Sequence, residues 1–210
     1  MSQEPANNPE YLEALRLVEC RRYTGAIPIL RSLADAGHAG AQAALGELFL
    51  WGFGVDRSVE TAYEYFQSAA KQGHGYGAYY IATCLRGQSQ NASSSGSVRP
   101  HWISPDAALI IAVRELPEMA AQGDRYAMGH LAFLYQWGQG VTLDPAEALY
   151  WFKKAFDAGH HAAANGIFQI YYECILPEFR DKALARAWYR RADQLGVRAL
   201  AITEFDLEGR

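Results

Sequence analysis

Asp35-Ala36-Gly37-His38 is the first of five segments that share a glycine at one phase; the others are Lys71-Gln72-Gly73-His74, Ala121-Gln122-Gly123-Asp124, Asp157-Ala158-Gly159-His160 and Gln194-Leu195-Gly196-Val197. The glycines recur at spacings of 36, 50, 36 and 37 residues. A period in this range marks a chain of stacked supersecondary pieces, none of which can bury its apolar face alone. The spacing of 50 is the same period with 14 extra residues. Those extra residues fall in the polar stretch 88–104, which contains Asn91-Ala92-Ser93-Ser94-Ser95-Gly96-Ser97 and predicts a long solvated loop.

Counted forward from each glycine, position four is small (Ala41, Gly77, Ala127, Ala163). Position eight is branched aliphatic (Leu45, Ile81, Leu131, Ile167), and position twelve is large (Phe49, Leu85, Tyr135, Tyr171). Steps of four draw one buried stripe on a helix. Counted backward, position eleven is Ala26, Ala62, Ala112, Ala148 and Ala185, and position seven is Leu30, Phe66, Leu116, Phe152 and Tyr189. A second amphipathic helix lies there, so each repeat is helix, loop, helix, with small residues where helices approach and large ones between them. Ser104-Pro105 and Asp144-Pro145 set a capping side chain before a proline of the first turn, and Glu147 is placed to complete a capping box with Asp144. The shared glycine is the C-terminal cap of the second helix. Pro117 inside one second helix and Pro28 early in another predict a kink or a shortened first turn.

Half of the 210 residues are apolar, a fifth are charged, and the net charge is -4. This is a globular composition without the clustered cations that a nucleic-acid backbone requires. The polar start, Met1 to Glu10, lacks the basic head and apolar stretch of a secretory signal, and no run of apolar residues is long enough to span a bilayer. Cys20, Cys84 and Cys174 are odd in number and widely spaced, which disfavours a disulfide scaffold or a zinc knuckle. A cytoplasmic protein with free thiols is the expectation.

Ala43 to Val55 followed by Ala62 to Ala70, and Leu131 to Val141 followed by Ala148 to Ala155, resemble the Sel-one-like repeat, a relative of the tetratricopeptide repeat. The resemblance implies an all-α, right-handed α-solenoid of about five helix-loop-helix repeats. A lone C-terminal capping helix follows Gly196, as an open solenoid end requires. The resulting organisation is a disordered tail over 1–8 and one solenoid domain over 9–208, interrupted by the loop at 88–104. Cys174-Ile175-Leu176-Pro177 replaces the glycine loop in the fourth repeat, and the pair from Tyr11 to Gly37 is degenerate.

Gly52-Phe53-Gly54 and Gly138-Gln139-Gly140 follow amphipathic helices, not strands, and predict a turn between paired helices in place of a nucleotide-binding loop. His38, His74 and His160 share a repeat position, which spreads them ~8–10 Å or more apart along the stack and argues against a shared metal. They are assigned instead to the helix C-terminus, where a protonated ring meets the dipole favourably. No nucleophile and base are brought together, so no catalytic residue, cofactor or metal ligand is assigned.

The remaining signal is aromatic. Positions three, six, ten, thirteen and fourteen of the first helices carry Glu47, Leu50 and Trp51; Tyr76, Tyr79 and Arg86; Tyr126, Phe133, Gln136 and Trp137; and Asn165, Gln169 and Tyr172. In the tetratricopeptide architecture this stripe lines a concave groove that receives peptides or partner proteins. Aromatic and Arg side chains dominate such interfaces. The alternative for any single ring is packing between repeats. The resemblance implies a non-enzymatic adaptor for a partner protein or peptide, and alternatively a bacterial immunity protein that occludes a toxin. His101 and Trp102 are the bulky members of the inserted loop, which is placed to fold over one end.

Overall fold

The computed structural model describes residues 8–90 and 103–197, with the side chains of 85–90 outside that description. The tail before residue 8, most of the predicted loop at 88–104 and the capping helix after Gly196 fall outside the described residues. Ten α-helices and no strand occur among the described residues. They are α1 (Pro9–Glu19), α2 (Tyr23–Asp35), α3 (Ala39–Trp51), α4 (Val59–Lys71), α5 (Gly75–Gln90), α6 (Pro105–Ala121), α7 (Arg125–Trp137), α8 (Pro145–Asp157), α9 (Ala163–Glu173) and α10 (Lys182–Gln194). A single 3-10 turn, Pro177–Phe179, precedes α10. The fold is all-α, of the helical-repeat solenoid class. Helix α5 reaches Gln90, past the start of the predicted loop at 88.

The chain divides into two compact units, residues 1–115 and 116–210. In the first, α1 to α4 each pack on the next helix, and α1 also touches α3, as α3 touches α5. In the second, α7 to α10 follow the same scheme, with α7 touching α9. Odd-numbered helices therefore lie side by side within each unit, and the even ones back them.

The repeat count locates the core. Ala41, Leu45, Ile81, Ala127 and Ile167 on first helices, and Ala26, Leu30, Ala62, Phe66, Ala112, Leu116, Ala148, Phe152 and Ala185 on second helices, are fully buried or 0% exposed. Burying each Leu, Ile or Phe contributes ~1.5–3 kcal/mol before the entropy of ordering it is counted. Close approach is enforced at Gly46 and Gly166. A Cβ at Gly46 would sit 2.5 Å from the Phe66 ring, and one at Gly166 would sit 2.4 Å from the Phe152 ring. Glycine at these positions is a packing requirement.

Helix ends explain the shared glycine. Gly37 has φ +90°, its N–H donates to the Ala34 carbonyl at 3.0 Å, and the His38 N–H donates to the Leu33 carbonyl at 2.9 Å. That pair of bonds satisfies the last carbonyls of α2. Gly73, Gly123, Gly159 and Gly196 repeat the left-handed conformation, and Arg21, at φ +56°, adopts it in the loop between α1 and α2. Pro28 and Pro117 both lie inside continuous helices, and α2 begins five residues before Pro28, so its first turn is not shortened.

The N-termini revise two expectations. His38 is the N-cap of α3, with Nδ1 accepting the Ala41 N–H at 3.1 Å. Asp124 holds the same repeat position ahead of α7 and accepts from Tyr126 and Ala127. At this phase His38 and Asp124 thus cap the start of the next helix as acceptors, whereas α9, after His160, has Ala162 at its N-cap and no side-chain cap. Asp144 accepts the N–H groups of Ala146 and Glu147 at 2.9 and 3.1 Å, as its sequence position predicts. The reciprocal half of the capping box is replaced, because the Asp144 N–H donates to the Tyr135 carbonyl at 3.0 Å. Ser58 to Phe49 and Asp181 to Tyr171 repeat that bond, so the carbonyl at position twelve closes three of the loops. Replacing Asp144 with Ala should cost about 1 kcal/mol, read as a lowered urea midpoint, whereas Asp144→Asn should cost far less because it preserves the acceptor.

Candidate functional site

In the first unit, α3 ends on Trp51, 57% exposed, and Gly52 then closes the helix in the left-handed conformation at φ +72°. Four residues earlier, Glu47 is partly buried and its carboxylate accepts the hydroxyl of Tyr80 from α5. The Tyr80 ring stacks on Phe66 with centroids 4.6 Å apart, and Tyr79 meets Tyr80 edge-on at 5.4 Å. Burial raises the Glu47 carboxyl above the ordinary carboxylate range, outweighing the opposing effect of the Tyr80 hydrogen bond. Burial, and then the neighbouring Glu47 charge, push the Tyr79 phenol up to about 12. Cys84 is raised to about 11 by burial, which keeps it a thiol and not a reactive thiolate.

The predicted aromatic residues of α5 lie inward. Tyr76 and Tyr79 are 5% and 8% exposed, and Tyr76 meets the His74 ring edge-on at 4.4 Å. Both rings are largely spent on internal packing. The Arg86 side chain lies outside the described residues. Tyr80 was not singled out by the repeat count, because its position, seven after the glycine, holds Ala44, His130 and Gly166 elsewhere. A bulky residue at a position that is small in two of the other repeats was the available signal.

In the second unit, Trp137 ends α7 as Trp51 ends α3: it is 54% exposed and followed by Gly138 at φ +60°. Tyr126 is partly buried, tilted against His160 at 4.8 Å, and covered by the Arg125 guanidinium at 5.3 Å. Phe133 turns its edge to the buried Phe152 at 4.9 Å, and Tyr172 stacks on the buried Phe168 at 5.2 Å. Asn165 donates to the Val197 carbonyl at 2.7 Å. Gln136 and Gln169 are partly buried. Phe133, Tyr172 and Asn165 therefore have internal partners, while Trp137 projects.

Among the described residues no three His, Cys, Asp or Glu side chains are grouped to hold a metal, and no helix is long and apolar enough to cross a membrane. The three cysteines are unpaired, with Cys20 exposed and the other two partly buried.

A family model described as the Sel1 repeat matches residues 39–74, 125–160 and 176–197. Among curated proteins, an uncharacterised protein of Neisseria meningitidis serogroup B is 27% identical over 168 residues, which cover 80% of this chain and 30% of that protein. The chain thus spans under a third of that relative's length. Among solved structures it is similar to a Sel1 repeat protein from Oxalobacter formigenes, at 24% identity and a TM-score of 0.44, covering 82% of this chain and 64% of that one. It is also similar to an immunity protein from Pseudomonas aeruginosa, at 17% identity and a TM-score of 0.42, covering 94% and 84%. Two of the three matched stretches run from the first residue of α3 or α7 to the residue after the left-handed glycine that closes the pair, so this chain carries Sel1 repeats over those helix pairs.

Proposed function

We propose that this chain is a non-enzymatic adaptor that holds a partner protein or peptide on the faces of its first helices. Sel1 repeats are a protein-interaction fold, and the observation that carries the reading here is the pair Trp51 and Trp137. They share one repeat phase, each is more than half exposed, and each stands on the last turn of a packed helix. An indole presented this way buries a large apolar area on contact and loses little conformational freedom, which is the profile of an interface anchor. Glu47 shares α3 with Trp51, Tyr126 and Gln136 share α7 with Trp137, and Gln169 lies on α9. Tyr76, Tyr79, Phe133, Asn165 and Tyr172 serve mainly the packing beneath this surface.

The test compares immobilised wild type with Trp51→Ala, Trp137→Ala and the double variant in capture from native lysate. The double variant should lose at least about tenfold of the specifically captured protein, the equivalent of 1.4 kcal/mol or more. Its thermal midpoint should stay within a few degrees, since exposed substitutions cost about 0.5 kcal/mol or less. Equal capture by the double variant and wild type rejects the reading. Where the captured protein is a toxin, co-expression distinguishes neutralisation from scaffolding by survival of the host.

A further inference from the structure

Glu47 and Trp51 are four residues apart on α3, one turn above the other on the same face. The carboxylate is tied to the Tyr80 hydroxyl, and Tyr80 is itself fixed by stacking on the fully buried Phe66. Glu47 is therefore held in place by Tyr80, with only part of the residue exposed. Among the described residues no cation pairs with it. A carboxyl desolvated this far without a countercharge is costly in its ionised form, and the cost is offset when a cation is desolvated against it. Trp51 supplies the second half of a cation site, an indole open to solvent, whose face attracts guanidinium and ammonium groups.

We propose that Glu47 and Trp51 together seat one guanidinium or ammonium side chain of the partner protein, the carboxylate accepting its N–H groups and the indole covering it. This rests on the adaptor reading and names the chemistry of one contact. Charge complementarity also fixes where the partner docks. The positions equivalent to Glu47 in the later repeats are Thr83, Phe133 and Gln169, none of which carries a charge, so a basic side chain is recognised at α3 alone among them.

The probe is the blocked tripeptide acetyl-Gly-Arg-Gly-amide, titrated into the full chain at neutral pH and low salt, with the citrulline tripeptide as its uncharged counterpart. Binding is followed by NMR at the Trp51 indole N–H and the amides of residues 47–51. Saturable shifts are expected with the arginine peptide and none with citrulline. Glu47→Gln, which preserves an acceptor for Tyr80, should weaken binding at least about fivefold, and Trp51→Ala should do the same. Equal binding of citrulline, undiminished binding to Glu47→Gln, or no saturable shift with arginine each overturns the proposal. Partner capture separates it from the adaptor reading. Loss of capture with Trp51→Ala but not with Glu47→Gln sinks the cation seat alone, whereas capture undiminished in the double tryptophan variant sinks both.

Discussion

Replacing Phe66 or Phe152 with Ala should lower the free energy of unfolding by about 3–5 kcal/mol, the largest effect expected of any single side chain in this protein. Both rings are fully buried and hold the same repeat position, seven before the closing glycine. Each is clamped by backbone: Phe66 lies against Gly46 of its own helix pair and under the Tyr80 ring, and Phe152 lies against Gly166 of the next pair and under the Phe133 edge. A cavity walled by helix backbone does not collapse as one lined by flexible side chains does, which puts the cost at the upper part of the range. The converse substitutions, Gly46→Ala and Gly166→Ala, push a methyl into the same rings and should cost about 1–3 kcal/mol each. Because Gly46 and Phe66 touch, their effects should not add: Gly46→Ala combined with Phe66→Leu should be less damaging than the two separate losses together. Urea unfolding followed by circular dichroism measures all of these. A loss below about 1 kcal/mol for Phe66→Ala would mean that the ring does not carry the contact between α3, α4 and α5.

That core was legible because a repeat writes the same physical demand several times. One Leu at position eight means little, but Leu45, Ile81, Leu131 and Ile167 at one phase can only be a shared buried stripe. The closing glycines and the Asp144 cap followed from local chemistry that needs no neighbour. His38 belongs to the other helix end for a physical reason: a residue just after a left-handed glycine is both past one helix and before the next. The sequence does not say whether the imidazole donates or accepts; the contact with the Ala41 N–H does. The stripe of candidate binding residues was only half legible. Period alone put Tyr76, Tyr79 and Trp51 on one face, but the depth of each ring depends on what the neighbouring helix presents. The Tyr80 hydroxyl on Glu47 is a tertiary contact between residues 33 apart. The two tryptophans escaped this ambiguity because they end their helices, beyond the reach of the next pair.

Acidification should unfold this protein earlier than its carboxylates alone would, through His74 and His160. Burial, reinforced by the His38 ring, holds His74 down to about 3, and burial together with the Arg125 and His161 charges holds His160 down to about 4. Both rings are therefore neutral in the folded chain at pH values where an unfolded histidine, with its ordinary value of 6.5, takes up a proton. The unfolded state binds more protons, so the stability each ring contributes is fully present above pH 6.5 and is lost as the pH falls toward 4 for His160 and 3 for His74. At 1.36 kcal/mol per unit the loss is on the order of 2 kcal/mol for each ring by about pH 5. Glu47 acts with the opposite sign. Its raised carboxyl costs the fold stability as the pH climbs from 4.5 toward the folded value, so removing its charge takes away that opposing slope. Asparagine is polar and neutral and does not titrate in this range, so it removes the proton uptake without adding a charge. His74→Asn with His160→Asn should therefore shrink the drop in urea midpoint between about pH 7.5 and pH 5 to less than half that of wild type. A drop of the same size in the double variant would mean that these rings are solvated in the folded chain and that acid acts elsewhere.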